Sequence, residues 1–335
     1  MRRRKLLSAS IGLGALAGLA KLTDQSDREV LAGLAMHTES DLAFGTTVTI
    51  KVLHNDGRLA RVAIQDALQR VREVDSLMSL KQVNSQVFQL NQRGVVEGPN
   101  AHLLHVLAFA QQLSLLTSGA FDITVQSLWR VFSLASAKGE LPAPTDIAAA
   151  KDLVNWRSLE YGPQQARLLT PGMAITLNGV AQGYAVDLAL QALRNHGVRH
   201  ALLDTGEYGS IGNKSLDQPW LLGVGHPRRL DGLAATLKMD GRKVATSGDY
   251  ATFFSPDFVH HHIFDPVSGD SPLELASATV VAPTGILADG LSTAFMVMGA
   301  DKALALAAQM HDVDALLINK NGSTRKTAHF PELHT

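Results

Sequence analysis

The sequence predicts a chain of mixed helices and strands, and three observations carry that reading. Residues 47–52 alternate polar and apolar side chains, as a half-buried strand does. Ile64, Leu68, Val71, Val74 and Met78 recur at helical spacing and share one apolar face. Residues 175–197 read as a short strand, a glycine-flanked turn and an amphipathic helix in succession.

The last of these is the stretch around which the chain is organised: Ile175-Thr176-Leu177-Asn178-Gly179-Val180-Ala181-Gln182-Gly183-Tyr184-Ala185-Val186-Asp187. Val186, Ala189, Leu190 and Leu193 form the helix's apolar face, and Gly197 supplies a stop. Gly179 and Gly183 would let a ligand approach bare backbone. The first N–H groups of a helix lack internal partners and sit at the positive end of its dipole, so the turn is a candidate phosphate cradle. Its spacing matches neither G-x-G-x-x-G nor G-x-x-x-x-G-K-[ST], and a tight turn before a packed helix is the plainer alternative.

The composition is that of a globular protein: 335 residues, 46% hydrophobic, with 30 basic and 31 acidic side chains. With no basic excess to neutralise phosphates, nucleic acid is not expected as a partner. The absence of cysteine excludes disulfides and thiolate metal sites.

Taken in order, residues 1–20 carry Arg2-Arg3-Arg4-Lys5 and then an apolar run of small residues, the pattern of a secretory signal. Arg3-Arg4-Lys5-Leu6-Leu7 also resembles the twin-arginine type, so either export route is open. No cysteine follows to take a lipid anchor, and a periplasmic location is expected. Residues 21–40 are polar and read as a linker, and folding is expected to begin near Phe44-Gly45. Asn55-Asp56-Gly57 signals a turn before the first helix. Residues 84–91 read as a polar connection, and Asn100 as the cap of a helix over residues 101–117.

Phe121-Asp122 is expected at the start of a strand, where the ring could stack on a flat ligand and the carboxylate accept a hydrogen bond. The alternative is a core Phe beside a capping Asp. Residues 201–204, 244–250 and 314–319 read as strands. Adjacent histidines on a strand alternate faces, so His260, His261 and His262 cannot all converge on one metal. A single inward histidine is a better acid–base candidate. Asp289 and Thr293, four apart on a helix, offer two hard oxygens on one face, suited to Mg²⁺. A helix-capping Asp is the alternative there.

In this order the pieces resemble the ApbE family of FAD:protein FMN transferases, from about Phe44 to the last strand. The motifs that carry the resemblance are Met78-Ser79 with Asn91, Gly119-Ala120-Phe121-Asp122, Gly183-Tyr184-Ala185, residues 245–250, His262-Ile263-Phe264-Asp265-Pro266 with Gly269, and Ala288-Asp289 with Thr293. Residues 176–184 and 204–207 further resemble the NosX-like branch, which is thought to flavinylate the membrane protein NosR. The resemblance implies an α+β fold of mixed sheets flanked by helices, as a single domain over residues 41–330.

It also implies an Mg²⁺-dependent reaction in which FMN passes from FAD to a Thr or Ser hydroxyl of a target protein and AMP leaves. Gly179, Asp289 and Thr293 match the metal-binding positions. Lys81, Ala120, Phe121, Asp122, Thr176, Gln182 and Ile263 match the FAD-binding positions, and His262 the base. Several positions depart from the family pattern. Thr176 stands for an Asp, Lys81 for a Tyr, Phe44 for a Met and Gln182 for a Lys or Glu, while Glu207-Tyr208 interrupts a glycine pair and an Asp. Two other functions fit the same residues: hydrolysis of FAD to FMN and AMP, and non-enzymatic flavin carriage.

Overall fold

The computed structural model describes residues 34–215 and 218–333. The expected signal sequence and most of the expected linker lie outside those residues. Where residues 35–40 were expected to continue the linker, the chain is already a strand, β1 (Ala35–Ala43). Its polarity has a physical cause: β1 pairs only with β2 (Thr46–His54), at the edge of a sheet, and most of its side chains face water. The two strands join through Phe44-Gly45, both at positive φ (54° and 76°), a two-residue hairpin turn.

Asp56 then caps helix α1 (Gly57–Met78), accepting the N–H groups of Arg58 and Leu59. The expected apolar stripe of α1 is buried. Residues 84–91, expected as a connection, contain the short helix α2 (Gln86–Arg93), which Ser85 caps. Its mean character is polar because only Val87 and Leu90 turn inward. Strand β3 (Val95–Glu97) follows, then helix α3 (Ala101–Leu116), capped by Asn100 as expected. Helices α4 (Gln126–Ser136) and α5 (Pro144–Lys151) come next, then strands β4 (Leu159–Tyr161) and β5 (Gln165–Leu168). These two strands form a small sheet with β3, in the order β3-β5-β4.

Helix α6 (Ala181–Asn195) is the helix of the organising stretch. After it come β6 (Ala201–Asp204), β7 (Tyr208–Ile211), the hairpin β8 (Leu221–His226) and β9 (Arg229–Lys238), β10 (Lys243–Gly248) and β11 (Leu275–Ala282). Helix α7 (Gly285–Ala307), β12 (Asp314–Asn319) and β13 (Thr324–Lys326) complete the order. The main sheet runs β1-β2-β6-β7-β10-β11-β12-β13, and every described pairing is antiparallel.

Helices α1, α6 and α7 pack together over one face of that sheet. The β8–β9 hairpin covers the other face. Neighbouring residues on a strand therefore enter different cores: Ala245, Val280 and Leu317 join the helices, while Val244, Val281 and Leu316 meet Trp220, Leu222 and Leu237. Strand β11, covered on both faces, is buried at all eight positions. Within α7, Gly299 leaves the helical conformation at φ 76°. That break divides α7 into two helical segments.

The expected strand over residues 175–177 does not form. The Asn91 side chain takes the place of a neighbouring strand: its Oδ1 accepts from Ile175 N–H (2.7 Å) and its Nδ2 donates to Ile175 C=O (2.8 Å). One amide side chain thus satisfies both polar groups of a buried residue.

Gly183 and Gly285 fix how closely α6 and α7 approach. A methyl group on Gly183 would collide with the Gly285 carbonyl, and one on Gly285 with the Gly183 carbonyl. Backbone has nowhere to retreat in a packed core. Gly183→Ala should therefore cost about 3 kcal/mol of stability, at the upper end of overpacking penalties. Urea denaturation measures it, and a midpoint equal to that of the parent protein would contradict the helix contact.

Candidate functional site

The site gathers where the first turn of α6 meets α7. Asp289 is 3% exposed, and its Oδ2 accepts the Gly183 N–H at 2.9 Å. It lies a full turn inside α7, so it is not that helix's cap. Asp187 of α6 takes the capping role, accepting the N–H groups of Gly285 (2.7 Å) and Ile286 (3.0 Å). The expected phosphate cradle is altered accordingly: an α6 N–H thought free for a phosphate is held by a carboxylate, and Gly183 serves helix packing.

Gly179 fits a close approach. A methyl group there would lie 2.9 Å from Thr293 Oγ1 and 3.4 Å from the Phe121 ring. The turn, the late helix and the Gly119–Asp122 segment therefore meet at one point. Thr293 Oγ1 is 3.2 Å from Ser247 Oγ, at the end of β10, and Ser247 Oγ is 2.8 Å from Ser292 Oγ. The carboxylate and hydroxyls gathered here are hard oxygen donors with no sulfur among them. They fit a divalent cation such as Mg²⁺.

A second acid, unassigned from the sequence, stands beside Asp289. Glu207 is 8% exposed and accepts the Thr246 N–H at 3.1 Å. Burial pushes its carboxyl well above the usual range, and the neighbouring Asp289 charge pushes it further. Burial likewise raises Asp289 to about 7, against the lowering effect of the Gly183 N–H. The signal for Glu207 was present as an acidic residue directly after a buried strand and a glycine, but nothing local revealed that the loop turns it inward.

The other expected site residues separate into those joined to this cluster and those apart from it. Gln182 reaches across to the Glu207 loop, its Nε2 donating to Thr205 C=O at 2.6 Å. Thr176 N–H donates to Ile123 C=O at 2.8 Å, tying the turn to the Phe121-Asp122 segment. The Thr176 hydroxyl accepts from Asn178 N–H at 3.2 Å. Ile263 is buried in the main core. Ala120 is half-buried on the loop that leads to Phe121. Lys81 is exposed after α1, where its N–H donates to Ser79 Oγ, and no described contact joins it to the cluster.

Asp122 does not start a strand. It caps a 3₁₀ turn, Ile123–Val125, and accepts from Thr124 N–H (2.7 Å), Thr124 Oγ1 (2.6 Å) and Trp156 N–H (3.1 Å). With Phe121 buried, this is the capping alternative. The carboxylate's hydrogen bonds hold the loop, and its Phe121 ring and Ile123 carbonyl face the turn.

The three histidines take separate partners. His260 pairs with Asp270 at 2.8 Å, and buried His261 faces Pro272 C=O at 3.3 Å. His262 is half-buried, with its N–H and its Nδ1 each 3.0 Å from Thr252 C=O. That contact makes Nδ1 the protonated nitrogen and leaves Nε2 as a base. Burial lowers the pKa of His262, partly offset by the Thr252 bond and by Asp249. Asp249 is itself fully buried and held by Arg228 through two bonds (2.7 and 2.6 Å). Burial raises the phenol of Tyr250, and the charges of both Asp249 and Glu207 raise it further.

The chain is similar to known proteins over nearly its whole length. It is 28% identical to an FAD:protein FMN transferase of Haemophilus influenzae, over 97% of this chain and 96% of that one. It is 28% identical to the Salmonella typhimurium protein of the same name, over 93% and 92%. Among solved structures, the ApbE protein of Thermotoga maritima superposes with a TM-score of 0.80 at 28% identity, covering 88% of this chain and 97% of that one. The apo flavinyl transferase ApbE of Pseudomonas stutzeri gives 0.75 at 29%, over 88% and 95%. The fold is accordingly the expected α+β arrangement. The ApbE family model matches residues 44–317, and the chain belongs to that family.

Proposed function

We propose that this protein is an Mg²⁺-dependent FAD:protein FMN transferase, moving FMN from FAD to a Thr or Ser hydroxyl of a target protein and releasing AMP. The observation that carries the reading is the buried Asp289 carboxylate on the Gly183 N–H, one helical turn from Thr293, whose Oγ1 lies against Gly179, with a second buried acid nearby. The names of the relatives at 28% identity support the same chemistry. Asp289, Thr293 and the Gly179 carbonyl would hold the cation. When bound, it would offset charge on the pyrophosphate and on the departing AMP.

The protein's own residues do the rest. In this reading the 120–122 segment, Thr176, Gln182 and Ile263 would contact FAD, and the exposed Lys81 would reach it from outside the cluster. His262 Nε2 takes the proton of the acceptor hydroxyl. That oxygen forms a bond to the FMN phosphorus, the bond from that phosphorus to the bridging oxygen breaks, and AMP leaves with the bridging oxygen. The lowered pKa of His262 keeps the imidazole neutral, and so able to accept a proton, at neutral pH.

The N-terminal signal pattern supports action in the periplasm. A membrane-associated acceptor of the NosR kind suits that location.

Incubating the protein with FAD, Mg²⁺ and a Thr-bearing acceptor should add the mass of FMN less one water to the acceptor, with AMP released in equal amount. AMP release without a mass gain would instead identify an FAD hydrolase. Asp289→Asn should abolish both products. His262→Gln should slow transfer by about 10²–10⁴-fold while leaving Mg²⁺ affinity unchanged, as expected for loss of a general base.

Asp289 also predicts a pH dependence of stability. Its folded pKa of about 7 lies above the ordinary value of 3.8, so burial favours the protonated form. Its contribution to the metal-free protein is lost as pH rises through about 7. Mg²⁺ binds the ionised form. The rise in melting temperature on adding Mg²⁺ should therefore grow between about pH 6 and pH 8. A rise that is constant across that range would sink the assignment of Asp289 to the cation.

A further inference from the structure

We infer that Glu207 is a second carboxylate of the cation site, facing the ion together with Asp289. The inference rests on the cation site proposed above and extends it to a residue outside the expected ligand set. Position is the first argument. Glu207 leads into β7, which pairs with β10 through Tyr208 and Val244. Its Oε2 accepts from Thr246 N–H at 3.1 Å, and the next residue, Ser247, lies 3.2 Å from Thr293 Oγ1. Glu207 thus binds the β10 residue next to Ser247, whose hydroxyl touches the Thr293 hydroxyl assigned to the ion.

The second argument is how firmly the loop turns this side chain inward. Gly206 sits at φ 97°, and any side chain on it would collide with Gln182. Thr205 N–H donates to Glu207 C=O at 2.9 Å, and Gln182 holds Thr205 from α6. A glycine in a left-handed conformation and a cross-helix amide together point an acid into the protein.

The third argument is charge. Among the described residues, no lysine, arginine or histidine forms an ion pair with Glu207. A buried carboxylate without a counter-charge is costly, and two side by side are more so. A hard divalent cation neutralises both at once. The competing reading is a neutral acid that only caps Thr246. Glu207→Gln separates the two, because it keeps the shape and the Thr246 bond and removes only the charge.

The test is Mn²⁺ binding to the full chain, followed by electron paramagnetic resonance of the free ion, with Mg²⁺ calorimetry beside it. E207Q should weaken binding by ~10–100-fold, the usual effect of removing a supporting group at a metal site. Its metal-free melting temperature should equal or exceed that of the parent, since a buried repulsion is relieved. If E207Q binds Mn²⁺ within about twofold of the parent while Asp289→Asn loses it, Glu207 is structural and the cation site stands. If Asp289→Asn also binds like the parent, the cation site itself is refuted. Should E207Q fail to fold, Glu207→Asp against Glu207→Asn makes the same comparison, with tighter binding expected from the charged variant and equal binding overturning the inference.

Discussion

The contact between the backbones of α6 and α7 is the constraint on which the site depends. Two glycines let the helices touch at Gly183 and Gly285, and the same crossing puts Asp289 on the Gly183 N–H. Asp187 returns the support by capping α7 from α6. Each helix therefore supplies a carboxylate to the other's first turn. The favourable dipole end of α6 faces Asp289, while burial opposes its charge. The outcome is a carboxyl at about 7, close to its switching point at neutral pH, where a bound cation would favour the ionised form.

The parts around that crossing are irregular, yet they are fixed. Asn91 does for Ile175 what a neighbouring strand would do, and Asp122 gathers Thr124 and Trp156 into one loop. Both join elements far apart in the chain. Buried side-chain bonds to backbone hold such loops as firmly as a ladder, because leaving those backbone groups unmet would cost about 1–3 kcal/mol each. The loop bearing Phe121 can then approach Gly179 without belonging to any sheet.

What the sequence revealed, and what it hid, follows from the range of each cause. The stripe of α1, the Asn100 cap and the stop at Gly197 are local signals, and each appears where expected. Asp289 and Thr293 were legible because one helical turn sets their spacing. Strand β1 was hidden because an edge strand facing water has the composition of a linker. The missing strand at residues 175–177 was hidden because its substitute, Asn91, is 84 residues away. Glu207 was quoted within a motif but not read as a site residue, since its inward turn depends on Gln182 and its significance on Asp289. The true role of Gly183 was hidden for the same reason: its partner, Gly285, lies on another helix.

Buried acids with different partners flank the site, and the contrast between them bears on the chemistry. Asp249 is fully buried but clamped by Arg228, with Lys320 at 3.7 Å, so its charge is met within the protein. It can stand near His262 as a fixed, neutralised feature. Asp289 and Glu207 are buried to a similar degree and have no such partner among the described residues. If both were ionised and unmatched, the fold would carry a repulsion with no structural return. Protonation relieves it only by giving up the charge that a metal site needs. A cation arriving from solution would relieve it and keep the charge, and Gly179, where an added methyl group would lie 2.9 Å from Thr293 Oγ1, keeps its backbone bare on that side.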